Sequence, residues 1–397
     1  MGAVVQRGFT LIELMVALTL SLLLMLALLG IFLNVSRTNT EMAKTNSLVE
    51  NGRFALDLLQ EDIAYAGFWG GYNPQFDNLI VTTVPGDAPS IVPAPCLAYT
   101  TANWDSTYKS ALLGIPVQSY DAVPAGCTAF VTDKKTSTDV LITRHADLCV
   151  PGVGTCAAVN NSRIYFQPSF CENETTASSP MFYALGNTST EFVLKKRSCT
   201  GTPPGTVGTL SDKRKFVSNI YYVRTYAVTA GDGIPTLMRS SFDLNSAGAI
   251  PSFTAPVALI EGIEGFAVEL GIDAQSRCGT STDYTSVPAF VKPSTCAVDT
   301  VTRANNTLPT NRGDGVPEMP FVRCTGGGAC TNVQLRDVVA VKLYVLARSR
   351  ETASGHTDTK TYTLGSTTLG PFNDGFNRHV FTTTLRLTNV SARRETP

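Results

Sequence analysis

The sequence predicts an α+β chain. A long amino-terminal α-helix, its first half membrane-spanning, packs on a mainly antiparallel β-sheet head with disulfide-stapled insertions. Three observations carry that expectation. Residues 14–35 are apolar and uncharged, and about 20 apolar residues cross a hydrocarbon core. No proline interrupts residues 9–66, where Leu, Met, Ala, Glu and Lys, all good helix formers, dominate. The rest of the chain is rich in Thr, Ser, Gly and Pro and holds all ten cysteines.

The amino end reads Gly8-Phe9-Thr10-Leu11-Ile12-Glu13, which sets one carboxylate, Glu13, at the start of the apolar run. An ionisable group inside a bilayer costs roughly 2.5–3.5 kcal/mol on insertion scales, so it marks function. An ordinary secretory signal peptide has a shorter apolar core followed by small residues; here the run is longer and a charge interrupts its start. A plain signal anchor leaves the position of Glu13 unexplained. The hexapeptide resembles the cleavage site of type IV prepilins, in which a peptidase cuts after the glycine and methylates the new terminal phenylalanine. That resemblance makes residues 1–8 a leader and Gly8 and Phe9 the processing site. It makes Glu13 the fifth residue of the mature chain, the position of that family's assembly glutamate.

The helix is expected over residues 9–66, about 85 Å at 1.5 Å per residue. Residues 9–35 form its membrane and filament-core part, and residues 36–66 an amphipathic continuation. There Ala55, Leu59 and Ile63 recur with Phe54 and Leu58 beside them as the stripe that carries a head. Glu50, Arg53, Asp57 and Glu61 fall between and face water. Gly30 is the weak point, and many major pilins have a proline near that depth, so the chain departs from them there.

Glycine and proline at 67–74 end the helix. Residues 67–212 read as an irregular, cysteine-rich β insertion, with strand signals at 140–144, 163–166 and 192–195. Residues 213–397 read as the β-rich head proper. Segments 220–228 and 236–242 flank Ala230-Gly231-Asp232-Gly233, a hairpin signature. Residues 266–273 alternate and predict a half-buried strand. Residues 338–346 are apolar on both faces apart from Lys342, which predicts a sheet-interior strand, and 379–387 alternate again. Together with residues 260–265, these segments resemble the carboxy-terminal half of PilW-type minor pilins.

Net charge is −1 with only 16% charged residues, so no global field draws in nucleic acid. An even cysteine count behind an export segment reads as disulfides. Zinc needs closer pairs with matching histidines, and His145, His356 and His379 are scattered. At least four bridges are expected. Pairing of sequence neighbours gives Cys96–Cys127, Cys149–Cys156, Cys171–Cys199, Cys278–Cys296 and Cys324–Cys330, among the many connectivities that ten cysteines allow. No nucleophile, metal or phosphate motif stands out, which argues against an enzyme and against a cofactor. Asp232 and Asp314 sit in Asp-Gly turns, and His145 reads as structural.

The two resemblances imply a non-catalytic minor pilin that takes part in initiating and assembling a type IV pilus. Its partners would be prepilin peptidase, other minor pilins and the major pilin, the pilus assembly platform, a tip adhesin and the inner membrane. The head would lie in the periplasm and then on the cell-surface pilus. A type II secretion minor pseudopilin shares the same physics. A pilin-anchored adhesin or DNA-capture module and a membrane-anchored enzyme are the readings from other classes.

Overall fold

The computed structural model describes residues 8, 10–80, 82–201, 207–245, 248, 250–326 and 330–395. Helix α1 runs over Leu11–Tyr65 and α2 over Ser106–Gly114. Strands β1 (Val117–Tyr120), β2 (Val140–Ala146) and β3 (Tyr165–Pro168) lead to the single turn α3 (Glu172–Thr175). Then come β4 (Tyr183–Gly186), β5 (Lys195–Thr200), β6 (Val207–Leu210), β7 (Arg214–Arg224), β8 (Thr236–Leu244), β9 (Pro251–Phe253), β10 (Val257–Glu261) and β11 (Ile263–Ile272). Two short strands, β12 (Phe290–Val291) and β13 (Leu308–Pro309), precede β14 (Glu318–Val322) and the turn α4 (Asn332–Arg336). The chain closes with β15 (Val338–Arg348), the hairpin β16 (Tyr362–Leu364) and β17 (Thr367–Leu369), β18 (Arg378–Arg386) and α5 (Thr388–Arg394).

Two antiparallel sheets make the head. An eight-stranded sheet has β7 as its hub, paired with β2, β3 and β8, while β1, β4, β9 and β10 extend it. A four-stranded sheet runs β14-β11-β15-β18. The β7–β8 hairpin forms around the predicted turn, where the Asp232 carboxylate accepts from the amides of Ala227, Val228, Thr229 and Ile234. Those four bonds, one local to its own turn, hold the carboxyl down at about 2.

Pairing of β2 with β7, Val140↔Tyr222 through Ala146↔Phe216, joins residues on either side of 212/213 in one sheet. Two expectations are corrected. Residues 192–195 are a strand only at the last position. A 3-10 turn over Ser189–Glu191 precedes them, and β5 begins at Lys195. Strand β11 is buried on both faces rather than one. The β16–β17 hairpin covers its second face: Leu364 packs with Ala267, Tyr344 and Leu346, while Glu269 accepts from the Tyr344 hydroxyl at 3.0 Å and the Ser366 amide at 2.8 Å. A carboxylate with two donors can sit inside; the alternation marked it as solvent-facing because the hairpin comes from a hundred residues away in sequence.

The core has two main parts. One joins the inner stripe of α1 to β11 and β15; the other gathers Trp69, Trp104, Phe166, Phe216 and Phe242 on the eight-stranded sheet. Asp139 ties the two sheets. It accepts from the Val268 amide at 2.8 Å and from Arg323 Nε, with its own amide donating to Phe266.

Candidate assembly site

The amino terminus of α1 is built as a capping box. Thr10 is the N-cap: its hydroxyl accepts from the Glu13 amide at 3.3 Å, while Glu13 Oε2 accepts from the Thr10 amide at 3.0 Å and the Thr10 hydroxyl at 2.9 Å. Two otherwise orphaned donors of the helix end are thereby satisfied. Gly8 is exposed, with open space where a Cβ would stand. Phe9 and residues 1–7 lie outside the described residues.

From Leu11 through Ser47 no residue of α1 is buried. The apolar window has mean hydropathy 2.7 and none of it is covered by the head. Thr19 and Ser21 return their hydroxyls to the helix's own carbonyls at Val16 and Leu18, at 2.9 Å each, which is how hydroxyls are tolerated in hydrocarbon. Glu13 is therefore the only ionisable group on an unpartnered apolar rod between residues 11 and 35. Such a rod is stable in only two surroundings: a bilayer, or the packed helices of other subunits.

Deeper into the head, the buried stripe of α1 is Leu48, Gly52, Ala55, Leu56, Leu59 and Ile63. Phe54, expected beside the stripe, is 56% exposed on the outer side, while Gly52 and Leu56 take the inner positions. Gly52 is required there. A Cβ on it would come within 2.2 Å of the Phe381 ring, so glycine lets β18 lie directly on the helix. Glu50, Arg53, Asp57 and Glu61 are exposed.

Asp62 fastens the end of α1 to the eight-stranded sheet and was not singled out from the sequence. Its Oδ1 accepts from Asn219 Nδ2 at 3.0 Å and lies 3.2 Å from His145 Nε2, and its Oδ2 accepts from the Thr143 hydroxyl. Burial pushes the Asp62 carboxyl up, but the His145 hydrogen bond and charge, with Thr143 and Asn219, bring it below its usual range. His145 Nδ1 faces the Ala146 carbonyl at 2.9 Å, so both ring nitrogens face acceptors and the imidazolium fits best. Burial alone would lower His145; the Asp62 bond and charge more than offset it and raise it. The only sequence signal for this pair was a carboxylate one step from the Leu59/Ile63 stripe.

The carboxy end closes over the same region. Asn389 donates to the Ala64 carbonyl at 2.9 Å. Arg394, fully buried, donates to Asp77 Oδ1 at 2.8 Å, to Asp337 Oδ1 at 2.9 Å, to Asp273 Oδ2 at 3.3 Å and to the Arg336 carbonyl at 2.8 Å. The cysteines stand as the bridges Cys96–Cys127, Cys149–Cys156, Cys171–Cys199, Cys278–Cys296 and Cys324–Cys330. Among the described residues no group of His, Cys, Asp and Glu is arranged to hold a metal ion.

Comparison with known proteins bears on both ends of the chain. Residues 5–29 match the prokaryotic N-terminal methylation motif. Residues 220–389, from within β7 to α5, match the family described as Type IV Pilus-assembly protein W. Over these two stretches the chain is similar to PilW-type type IV pilins. No curated protein matches it. Among solved structures, a type IV-like pilin from Thermus thermophilus aligns over 87% of this chain and 98% of that one, at 12% identity and a TM-score of 0.30. The family match covers the whole four-stranded sheet that lies on α1, and the motif match covers the capping box and most of the apolar run that follows it.

Proposed function

We propose that this chain is a non-catalytic minor pilin that takes part in initiating and assembling a type IV pilus. Prepilin peptidase cuts between Gly8 and Phe9 and methylates the Phe9 amine. The observation that carries the reading is the bare apolar rod of α1 with Glu13 at its tip, attached to a head that itself buries a complete core. The rod first anchors the chain in the inner membrane with the head in the periplasm, and later packs among the helices of the fibre. There the amine of one subunit meets the Glu13 carboxylate of a neighbour, and pairing two charges in an apolar core relieves a penalty that each bears alone. The pairing sets the register between this subunit, other minor pilins and the major pilin. The assembly platform and a tip adhesin complete the expected partners.

The test is a strain lacking this protein, complemented with wild-type or Gly8→Arg chain. Loss of surface pili and twitching without complementation supports the reading. Loss of secreted enzymes with normal piliation refutes it and favours the type II secretion pseudopilin. In the complemented strain, amino-terminal mass spectrometry should find N-methylated Phe9, and the Gly8→Arg chain should stay uncleaved.

A further inference from the structure

The seven residues after Tyr65 bring the chain to Tyr72, so whatever Tyr72 lines sits at the end of α1 farthest from the membrane. It borders a cleft of ≈ 480 Å³ with two unlike walls. One wall is a single face of α2, where Ser106, Lys109 and Ser110 fall at helical spacing. Phe182 and Tyr183 supply apolar surface to the lining, and Asp87 a carboxylate.

The walls are held stiffly. Asp105 caps α2 through the Tyr108 amide at 2.8 Å, and the Tyr108 hydroxyl donates to the Ala94 carbonyl at 2.7 Å. Tyr183 packs against Tyr72 and Phe166, and its hydroxyl lies 3.1 Å from Ser110 Oγ. Asp87 accepts from the Gln75 amide at 2.6 Å, the Phe76 amide at 3.0 Å and the Tyr72 hydroxyl at 3.5 Å. The Lys109 ammonium has no ion pair or hydrogen bond among the described residues.

We infer that this cleft is a binding site for a neutral saccharide. A pyranose has an apolar C–H face, which suits Phe182 and Tyr183, and a rim of hydroxyls, which suits donors and acceptors on the facing wall. The choice of a neutral sugar follows from charge. Asp87 and Lys109, the two charged groups of the lining, offset one another, so the cleft presents no net charge to select an anion. Burial raises the Asp87 carboxyl to about 6, so at neutral pH it remains mostly an acceptor for a sugar hydroxyl. This site does not depend on the pilus assignment, since it uses no residue of the stem.

The experiment presents the full chain in detergent micelles to immobilised neutral, sialylated and sulfated oligosaccharides. Neutral glycans should be retained, with Lys109→Ala weakening them about fivefold, the loss of one hydrogen bond. Ser106→Trp, exposed on the rim and able to fill the opening, should abolish retention at an unchanged melting temperature. Retention of only sialylated or sulfated glycans overturns the assignment. So does no retention at millimolar sugar, or equal retention by Ser106→Trp.

Discussion

Replacing His145 by Gln removes an imidazolium from a pair that is nearly enclosed, with the two side chains 10% and 13% exposed. A hydrogen bond to a charged group contributes about 1.5–3 kcal/mol, and Gln keeps a donor but no charge, so a loss of about 2 kcal/mol is expected near pH 5.5. The pH dependence has a definite sign. The folded His145 value is raised above its ordinary 6.5, so its contribution is complete below about 6.5 and disappears as pH rises through the folded value. Asp62 is lowered from 3.8, so its contribution is complete above about 4 and disappears as pH falls through its folded value. Wild type should therefore exceed His145→Gln most between about pH 4 and 6.5, and the gap should shrink toward pH 9. Urea unfolding of the full chain in detergent measures it, read by the emission of Trp69 and Trp104, which are 1% and 2% exposed. With a slope of about 3 kcal/mol/M, the midpoint should shift by roughly 0.7 M at pH 5.5. A gap of the same size at pH 5.5 and pH 9 refutes the ion pair as the cause.

Three further outcomes are expected. Glu13→Ala should insert and be cleaved but fail to co-isolate with other pilins, and Glu13→Lys should do worse because it sets a second cation beside the partner amine; Glu13→Ala that assembles like wild type refutes the register role. Arg394→Ala leaves the buried Asp273 without its cation, while Asp77 keeps Arg393 and Asp337 keeps Arg336, and should destabilise the head by about 3–5 kcal/mol in the same urea titration. Gly52→Val should cost about 1–3 kcal/mol through overpacking against Phe381, and the double variant with Phe381→Ala should recover part of that loss.

The sequence was most informative where one element answers to its own residues. Helix α1 is uniform and proline-free, so its bounds came within two residues at the start and one at the end. The Asp232 turn was equally legible, being a local pattern. What escaped depends on chain that returns from far away. The second face of β11 looked wet because its cover, Leu364 and Ser366, is contributed by a later hairpin. Phe54 looked buried because apolar character was taken as burial, whereas Gly52 holds the contact with β18. Asp62 gave almost no signal, since its three partners come from β2 and β7. The cleft between α2 and the approach to β4 was hidden for the same reason: its walls are some seventy positions apart in sequence.

Placing the last helix against the end of the first has a mechanical consequence. The buried stripe from Leu48 to Ile63 extends roughly 22 Å along the axis of α1, parallel to any pull transmitted through the stem. Such a pull loads those contacts in shear, all at once, instead of peeling them one at a time. Sliding of α1 is further opposed by Asn389, which grips the Ala64 carbonyl, and by Arg393, 3.3 Å from the Gly67 carbonyl. Arg394, the next residue, is anchored among three carboxylates. Tension applied along α1 is thus borne by α5, and the head behaves as a buckle whose tongue and clasp are these two helices.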